Sequence, residues 1–166
     1  MMEIRRLTAD DAEAYYELRL EALKKNPEAY AASYEEAIQK DHPIEQTARN
    51  IKSSYTFGAF VNNTIVGVVT LVRGSGMKIR HKADLFAVYV TPDQRGKGVG
   101  RDLLSHVLDY AKSMDGLLKL SVSVVTTNER AKSLYKSFGF KTILIEEKSL
   151  YVKGTFLDEE HMVQFL

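Results

Sequence analysis

Gly96, Gly98 and Gly100 stand in the run Gln94-Arg95-Gly96-Lys97-Gly98-Val99-Gly100-Arg101, with three cations, Arg95, Lys97 and Arg101, among them. Glycines let backbone N–H groups approach a ligand closely, because no Cβ stands in the way. A helix that begins in such a run adds unpaired N–H groups and the positive end of its dipole. The combination is an anion site suited to phosphate. A plain strand-to-helix connection with glycines for packing also fits the triplet. The three flanking cations and the strong helical repeat that follows argue against that plainer reading.

The phosphate ligand is narrowed by what the turn lacks. A Walker loop needs Lys-Ser or Lys-Thr after its glycines, and neither follows here. A dinucleotide fingerprint needs G-x-G-x-x-G; the third glycine position falls on Arg101 counted from Gly96, and on Leu103 counted from Gly98. That motif also usually opens its domain, whereas this turn lies beyond the middle of the chain.

Other chemistries are bounded by composition. The chain has 166 residues, 45% hydrophobic and 27% charged, as expected of one globular domain over residues 1–166. A net charge of +1 gives no bulk field for nucleic acid or an anionic membrane. No cysteine is present, so disulfides, thiolate metal sites and a Cys nucleophile are excluded, and a reducing cytoplasm is the expected location. His42, His81, His106 and His161 lie far apart without metal-ligand spacing, so no metal is expected. No apolar run approaches the ~20 residues needed to span a bilayer, and Met1 to Arg6 lacks the apolar core of a signal peptide.

The elements that must position the turn follow from hydrophobic periodicity. Met2 to Leu7 reads as a weak first strand, and Thr8 with Asp11 as a capping-box-like helix start. That helix should stop at Asn26-Pro27, and residues 34–53 read as helical but broken at Asp41-His42-Pro43. Tyr55 to Val61 and Ile65 to Val72 flank Asn62-Asn63-Thr64 as a hairpin. Lys82 to Val90 is a strand stopped by Thr91-Pro92-Asp93. Val99, Leu103, Leu104, Val107, Leu108 and Ala111 mark the apolar face of the next helix. Leu118, Leu120, Val122 and Val124 alternate on one side of a strand over 117–125, Glu129 to Ser137 is a short helix, and residues 140–166 hold two or three strands turning at Lys153-Gly154. The order β-α-α-β-β-β-α-β-α-β-β predicts a mixed α/β domain, with a mostly antiparallel sheet and helices on both faces.

Two segments carry a resemblance. Residues 85–101, a strand followed by a Pro-containing loop and Arg95-Gly96-Lys97-Gly98-Val99-Gly100, resemble the signature of the GNAT superfamily of N-acetyltransferases. Asn128-Glu129-Arg130-Ala131-Lys132-Ser133-Leu134-Tyr135-Lys136-Ser137-Phe138-Gly139-Phe140 is similar to that family's N-x-x-A-x-x-L-Y-x-x-x-G-F. The resemblance implies a twisted sheet of six to seven strands and acetyl-CoA as co-substrate. It implies that Val88, Tyr89 and Val90 splay from the neighbouring strand and offer backbone groups to the pantetheine arm. It implies that Arg95, Gly96, Lys97, Gly98, Val99, Gly100 and Arg101 bind the pyrophosphate and that Asn128 hydrogen-bonds the coenzyme. Tyr135 would lie near the thioester sulfur as general acid, in a direct transfer to an amine without an acyl-enzyme. A backbone N–H near Val88 would stabilise the carbonyl oxygen.

Each role has a plainer counterpart. Tyr135 shares a helical face with Ala131, Leu134 and Phe138, and Asn128 suits an N-cap. The general base stays open. Some relatives that acetylate protein N-termini carry a Glu five residues before the Asn; here that position is Ser123, a poor base. Glu35, Glu36, Asp84 or a water are the candidates. Tyr30, Tyr34, Glu35, Glu36 and His42 lie where relatives shape the acceptor pocket and would suit a cationic amine, though the same residues suit a helix packed on the sheet. The expected acceptor is the primary amine of a small molecule. The alternatives are a protein N-terminus or lysine, a non-catalytic acyl-CoA-binding module, and a nucleotide-binding protein. The family also suggests a homodimer, with which the mostly apolar end Met162 to Leu166 is compatible.

Overall fold

Alternation and turn chemistry build the sheet first. In a computed structural model describing residues 1–166, β1 (Met2–Arg6), β2 (Tyr55–Val61), β3 (Thr64–Arg73) and β4 (Lys82–Val90) form an antiparallel meander. Asn62 and Asn63 both take positive φ, as the tight β2–β3 turn requires. β5 (Lys119–Val125) joins β4 in parallel, and β6 (Lys141–Val152) and β7 (Thr155–Phe165) form a long terminal hairpin. Because β7 inserts between β5 and β6, the sheet of 7 strands runs β1-β2-β3-β4-β5-β7-β6. The predicted mixed, mostly antiparallel sheet is the one observed, and the tail holds two strands rather than three.

Helices cover the two faces unequally. α1 (Ala12–Lys25), α2 (Tyr34–Ala37) and α3 (Pro43–Ser53) lie on one face, and α4 (Val99–Ser113) and α5 (Glu129–Ser137) on the other. The predicted break falls at His42, which takes positive φ before Pro43 opens α3. Ahead of α1 the Asp11 carboxylate accepts from the Thr8 backbone N–H at 2.8 Å, but residues 9–11 form one 3₁₀ turn before the α-helix begins. On the α4 side Leu103, Leu104, Val107 and Leu108 pack with Phe57, Leu71, Leu85, Leu120 and Met162 into the main core. A smaller core under α1 holds Leu18, Ala22, Phe60, Val68 and Tyr89.

Two expectations are corrected. Leu118 is not on the buried side of β5: it is exposed, and Leu117 takes the core position, because the strand starts only at Lys119. Met162 and Val163 offer no surface for a second copy, since β7 lies inside the sheet and both side chains are buried. The exposed apolar residues of the terminal hairpin are Ile143, Leu144 and Ile145 on the edge strand β6, Tyr151 and Phe156 near the hairpin tip, and Phe165 at the end of β7.

Candidate active site

The site begins where β4 and β5 part. Their parallel pairing is confined to Lys82–Lys119, Ala83–Leu120 and Asp84–Ser121. Ala87 has φ +56 and the β3–β4 register slips between Val68 and Thr70, so β4 carries a bulge there. A bulge bends its strand and strengthens the local twist, which swings residues 88–90 away from β5. The expected splaying of Val88, Tyr89 and Val90 is therefore present in the backbone.

The fork leads to the glycine turn. Gly96 and Gly98 have φ +77 and +86, conformations that side chains resist, and a Cβ on either would meet nothing within 4 Å. Gly100 has ordinary φ, and its Cα faces Leu134 on α5 and Val90 on β4. Inside the protein the first amide of α4 to find an acceptor is Asp102, bonded to the Gly98 carbonyl at 2.9 Å. From Gly96 to Arg101 every backbone N–H is left without a protein acceptor. A diphosphate needs such a concave row of donors beside open space.

The three cations are not equivalent. Lys97 is exposed. Arg101 leans on α5, its Nη2 donating to Ser137 Oγ at 3.3 Å and its guanidinium lying 5.4 Å from the Phe138 ring centroid. Arg95 turns back into the fold: Nε donates to the Val90 carbonyl at 2.9 Å and Nη2 to Asn26 Oδ1 at 2.8 Å. Its side chain thus fastens the end of α1 to β4, a contact that no local pattern foretells. The Val88 carbonyl accepts from Tyr30 Oη at 2.9 Å. Both carbonyls expected for the pantetheine arm already hold one donor, and each oxygen retains a second lone pair.

α5 forms the other wall. Asn128 caps it, with Oδ1 accepting from the Ala131 N–H at 3.1 Å; the side-chain NH₂ is not used by the cap. Lys132 ties the helix to β7 through Glu160 at 3.1 Å. Tyr135 is buried with its ring 5.8 Å from that of Phe140. Burial pushes its hydroxyl above the usual tyrosine range, and nearby Tyr30 adds to the shift. In the resting site Tyr135 is therefore a protonated donor at working pH. Tyr30 is likewise pushed up to about 12 by burial, and its ring lies under the Arg19 guanidinium at 4.6 Å.

The base candidates separate. Glu35 and Glu36 are exposed in the single turn of α2. Asp84 sits at the closed end of the fork, paired with Ser121. His42 faces Glu45 at 3.1 Å, and Tyr34 lies by Lys24, so of the aromatics expected at the acceptor pocket only Tyr30 reaches the fork. A constellation missed in the sequence appears instead: Ser123 Oγ is 2.7 Å from His161 Nδ1, and His161 Nε2 is 2.8 Å from Glu146 Oε2. No spacing rule joins residues 123, 146 and 161; only the β5-β7-β6 strand order does. No group of three His, Cys, Asp or Glu side chains is arranged to hold a metal. Two surface concavities, of about 490 and 850 Å³, lie beside Leu7 and Ile51 and between α1 and the β2–β3 turn, the second reaching Thr91, Asp93 and Gln94 just ahead of the glycine turn.

The profile of the Acetyltransferase (GNAT) family matches residues 12–140, which include both the fork and the glycine turn. The chain belongs to this family. GNAT acetyltransferases take acetyl-CoA as co-substrate. A spermidine N(1)-acetyltransferase of Vibrio cholerae is 29% identical over 100 residues, covering 59% of this chain and 55% of that protein. The N-alpha-acetyltransferase RimI of Mycobacterium tuberculosis is 32% identical over 97 residues, covering 58% of each. The matched parts thus span little more than half of those relatives' own length. In fold, a GNAT acetyltransferase from Streptococcus pneumoniae superposes over 100% of both chains with a TM-score of 0.90 at 23% identity. A Salmonella typhimurium protein solved with its cofactor acetyl-CoA covers 100% of this chain and 94% of its own, with a TM-score of 0.84 at 23% identity. No helix is long and apolar enough to cross a membrane.

Proposed function

We propose that this GNAT protein is an acetyl-CoA-dependent N-acetyltransferase that moves an acetyl group to a primary amine of a small molecule by direct attack in a ternary complex. The observation that carries the reading is the run of amides from Gly96 to Arg101, without protein acceptors, at the open end of a forked sheet. Those amides, Lys97 and the start of α4 would hold the pyrophosphate, Val88 to Val90 the pantetheine arm, and the free NH₂ of Asn128 a coenzyme oxygen. Acetyl-CoA supplies the activated thioester. The backbone N–H near Val88 would stabilise charge on its carbonyl oxygen, and the protonated Tyr135 hydroxyl would give the departing sulfur its proton. A module that only bound acyl-CoA would need no such donor.

The acceptor is proposed as a small amine because the Vibrio relative acetylates spermidine, as its name states. The RimI relative favours a protein N-terminus as the second reading; Ser123, where some relatives of that class carry Glu, weighs against it. A thiol-release screen separates them: spermidine and other small amines should turn over faster than a peptide with an N-terminal alanine or an internal lysine. Faster turnover of the peptide would reverse the order of the two readings, and coenzyme binding without turnover on any amine would favour the module. ATP or NAD competing with CoA in a thermal-shift assay would favour a nucleotide-binding protein. A cytoplasmic location fits the absence of cysteine. We propose a homodimer through the exposed apolar edge strand β6; sedimentation as a monomer would refute it.

A further inference from the structure

We infer that Ser123, His161 and Glu146 form the proton-accepting relay for the acceptor amine, an inference that rests on the acetyl-transfer reading. β5 and β7 pair with Ser123 opposite His161, so both side chains stand on one face of the sheet. Val122 and Val124 are buried in the core on the opposite face, the side of α4 and α5. Ser123 is two residues beyond Ser121, the last residue of β5 that pairs with β4. At about 3.3 Å per residue it stands roughly 7 Å past the point of the fork. It is thus on the fork's β5 wall, across the sheet from the helices that frame the coenzyme turn. The turn Pro27–Ala29 packs on β5 and β6, and Tyr30, which follows it, reaches the Val88 carbonyl on the other wall. Ser123 on the β5 wall and Tyr30, bonded to the β4 wall, therefore border the same opening.

The hydrogen bonds fix the direction of proton flow. Glu146 is held below the ordinary carboxylate range above all by its hydrogen bond with His161, so it is ionised and can only accept. Nε2 of His161 must then carry a proton toward Glu146. In the neutral ring Nδ1 is bare, and the Ser123 hydroxyl donates to it. His161 is partly exposed, with 32% of its side-chain surface open, so it can return a proton to water. The titratable groups on the surrounding elements are Lys141, Glu146, Glu147, Lys148 and Tyr151 on β6, Asp158, Glu159 and Glu160 on β7, Lys119 on β5, Lys82 and Asp84 on β4, Glu28 in the packed turn and Tyr30 just after it.

The step balances as follows. The amine nitrogen bonds to the acetyl carbon and the carbon–sulfur bond breaks, the electron pair leaving with sulfur, which takes the Tyr135 proton. The nitrogen loses one proton to Ser123 Oγ while the Ser123 hydroxyl proton passes to His161 Nδ1. His161 becomes imidazolium beside Glu146, and its proton, by way of solvent, restores Tyr135. A serine alone is a poor base; a serine hydrogen-bonded to a neutral imidazole is a conduit.

The test compares His161→Gln, Ser123→Ala and Glu146→Gln with wild type, with spermidine as acceptor and acetyl-CoA saturating. If spermidine is refused, the same comparison uses acetyl-CoA hydrolysis, where water is the nucleophile. Coenzyme binding, followed by CoA-induced thermal stabilisation, reports the fold of each variant. The relay predicts unchanged coenzyme stabilisation and a kcat/KM about 10²-fold lower for His161→Gln, with loss of the acidic limb of the pH profile. Ser123→Ala should behave similarly and Glu146→Gln should fall about tenfold. A merely structural ladder would leave the pH profile in place. Wild-type rates and pH profile in His161→Gln would overturn the inference. So would a stable acetyl group on Ser123 with parallel double-reciprocal lines, which would make that serine a nucleophile. Wild type that binds no acetyl-CoA would overturn the transfer reading and the relay with it.

Discussion

The two sides of the fork are built from different kinds of sequence. The coenzyme side is local: the Gly96–Arg101 amides, the bulge at Ala87 and the start of α4 fall within one stretch of chain. The proposed acceptor side is assembled from Tyr30, which reaches the fork from the loop after α1, and from Ser123, Glu146 and His161, brought together by the strand order. Phosphate recognition asks for a row of main-chain donors, which a short segment can supply whole. Proton relay asks for side chains at chosen points, and adjacent strands supply those at any sequence separation. One side is thus fixed by backbone conformation and the other by register.

The largest effect should come from attacking the backbone side. Gly98→Asp puts a carboxylate where the diphosphate would lie and should abolish CoA-induced thermal stabilisation. Gly98→Ala separates strain from ligand clash, because its Cβ meets no protein atom within 4 Å. It should cost about 1 kcal/mol of stability from the positive φ and weaken CoA binding far less than Asp. Full stabilisation of Gly98→Asp by CoA would show that the turn is misassigned.

Next is Tyr135→Phe. The phenyl ring keeps its packing on Phe140, so melting and coenzyme affinity should stay near wild type. The turnover number should fall ~10²- to 10⁴-fold, roughly 3–5 kcal/mol of barrier. Because burial raises the hydroxyl's pKa, Tyr135 is protonated at all working pH, and its removal should leave the shape of the pH profile unchanged. A change of shape would transfer the acid–base assignment away from the relay.

Asn128 tests whether one residue serves both a helix and a ligand. Asn128→Ala should destabilise the protein by about 1 kcal/mol through loss of the α5 cap, read by denaturant unfolding. Asn128→Asp keeps a capping oxygen and should restore stability while coenzyme affinity stays reduced. Recovery of both would leave Asn128 as a cap alone.

The smallest effect belongs to Lys97→Ala. An exposed cation contributes little beside a row of amides, so CoA affinity should fall no more than about fivefold and become less salt-dependent. A loss as large as that of Gly98→Asp would make charge, not the backbone, the basis of recognition.

The same division separates what local sequence dictates from what the fold alone decides. Lys82–Val90, Glu129–Ser137 and the Asn62-Asn63 turn follow from alternation, helical repeat and turn chemistry, all local signals. The cap role of Asn128 and the core-facing side of α4 follow likewise. Arg95 looked like a phosphate ligand because its charge and position suggested one; its hydrogen bond to Asn26 depends on where α1 ends in space. Leu118 missed the core because alternation does not say where a strand starts. Met162 and Val163 read as an apolar end and proved interior, since the last strand inserts between two others. His161 carried no local signal at all: its partners are 38 and 15 residues away in sequence.

The most direct measurement is a titration of ¹⁵N-labelled protein with CoA, followed amide by amide. The diphosphate contact predicts that the largest downfield proton shifts fall on the amides from Gly96 to Arg101, with smaller ones at Val88 to Val90. Saturating CoA that leaves the 96–101 resonances in place while others move would contradict it.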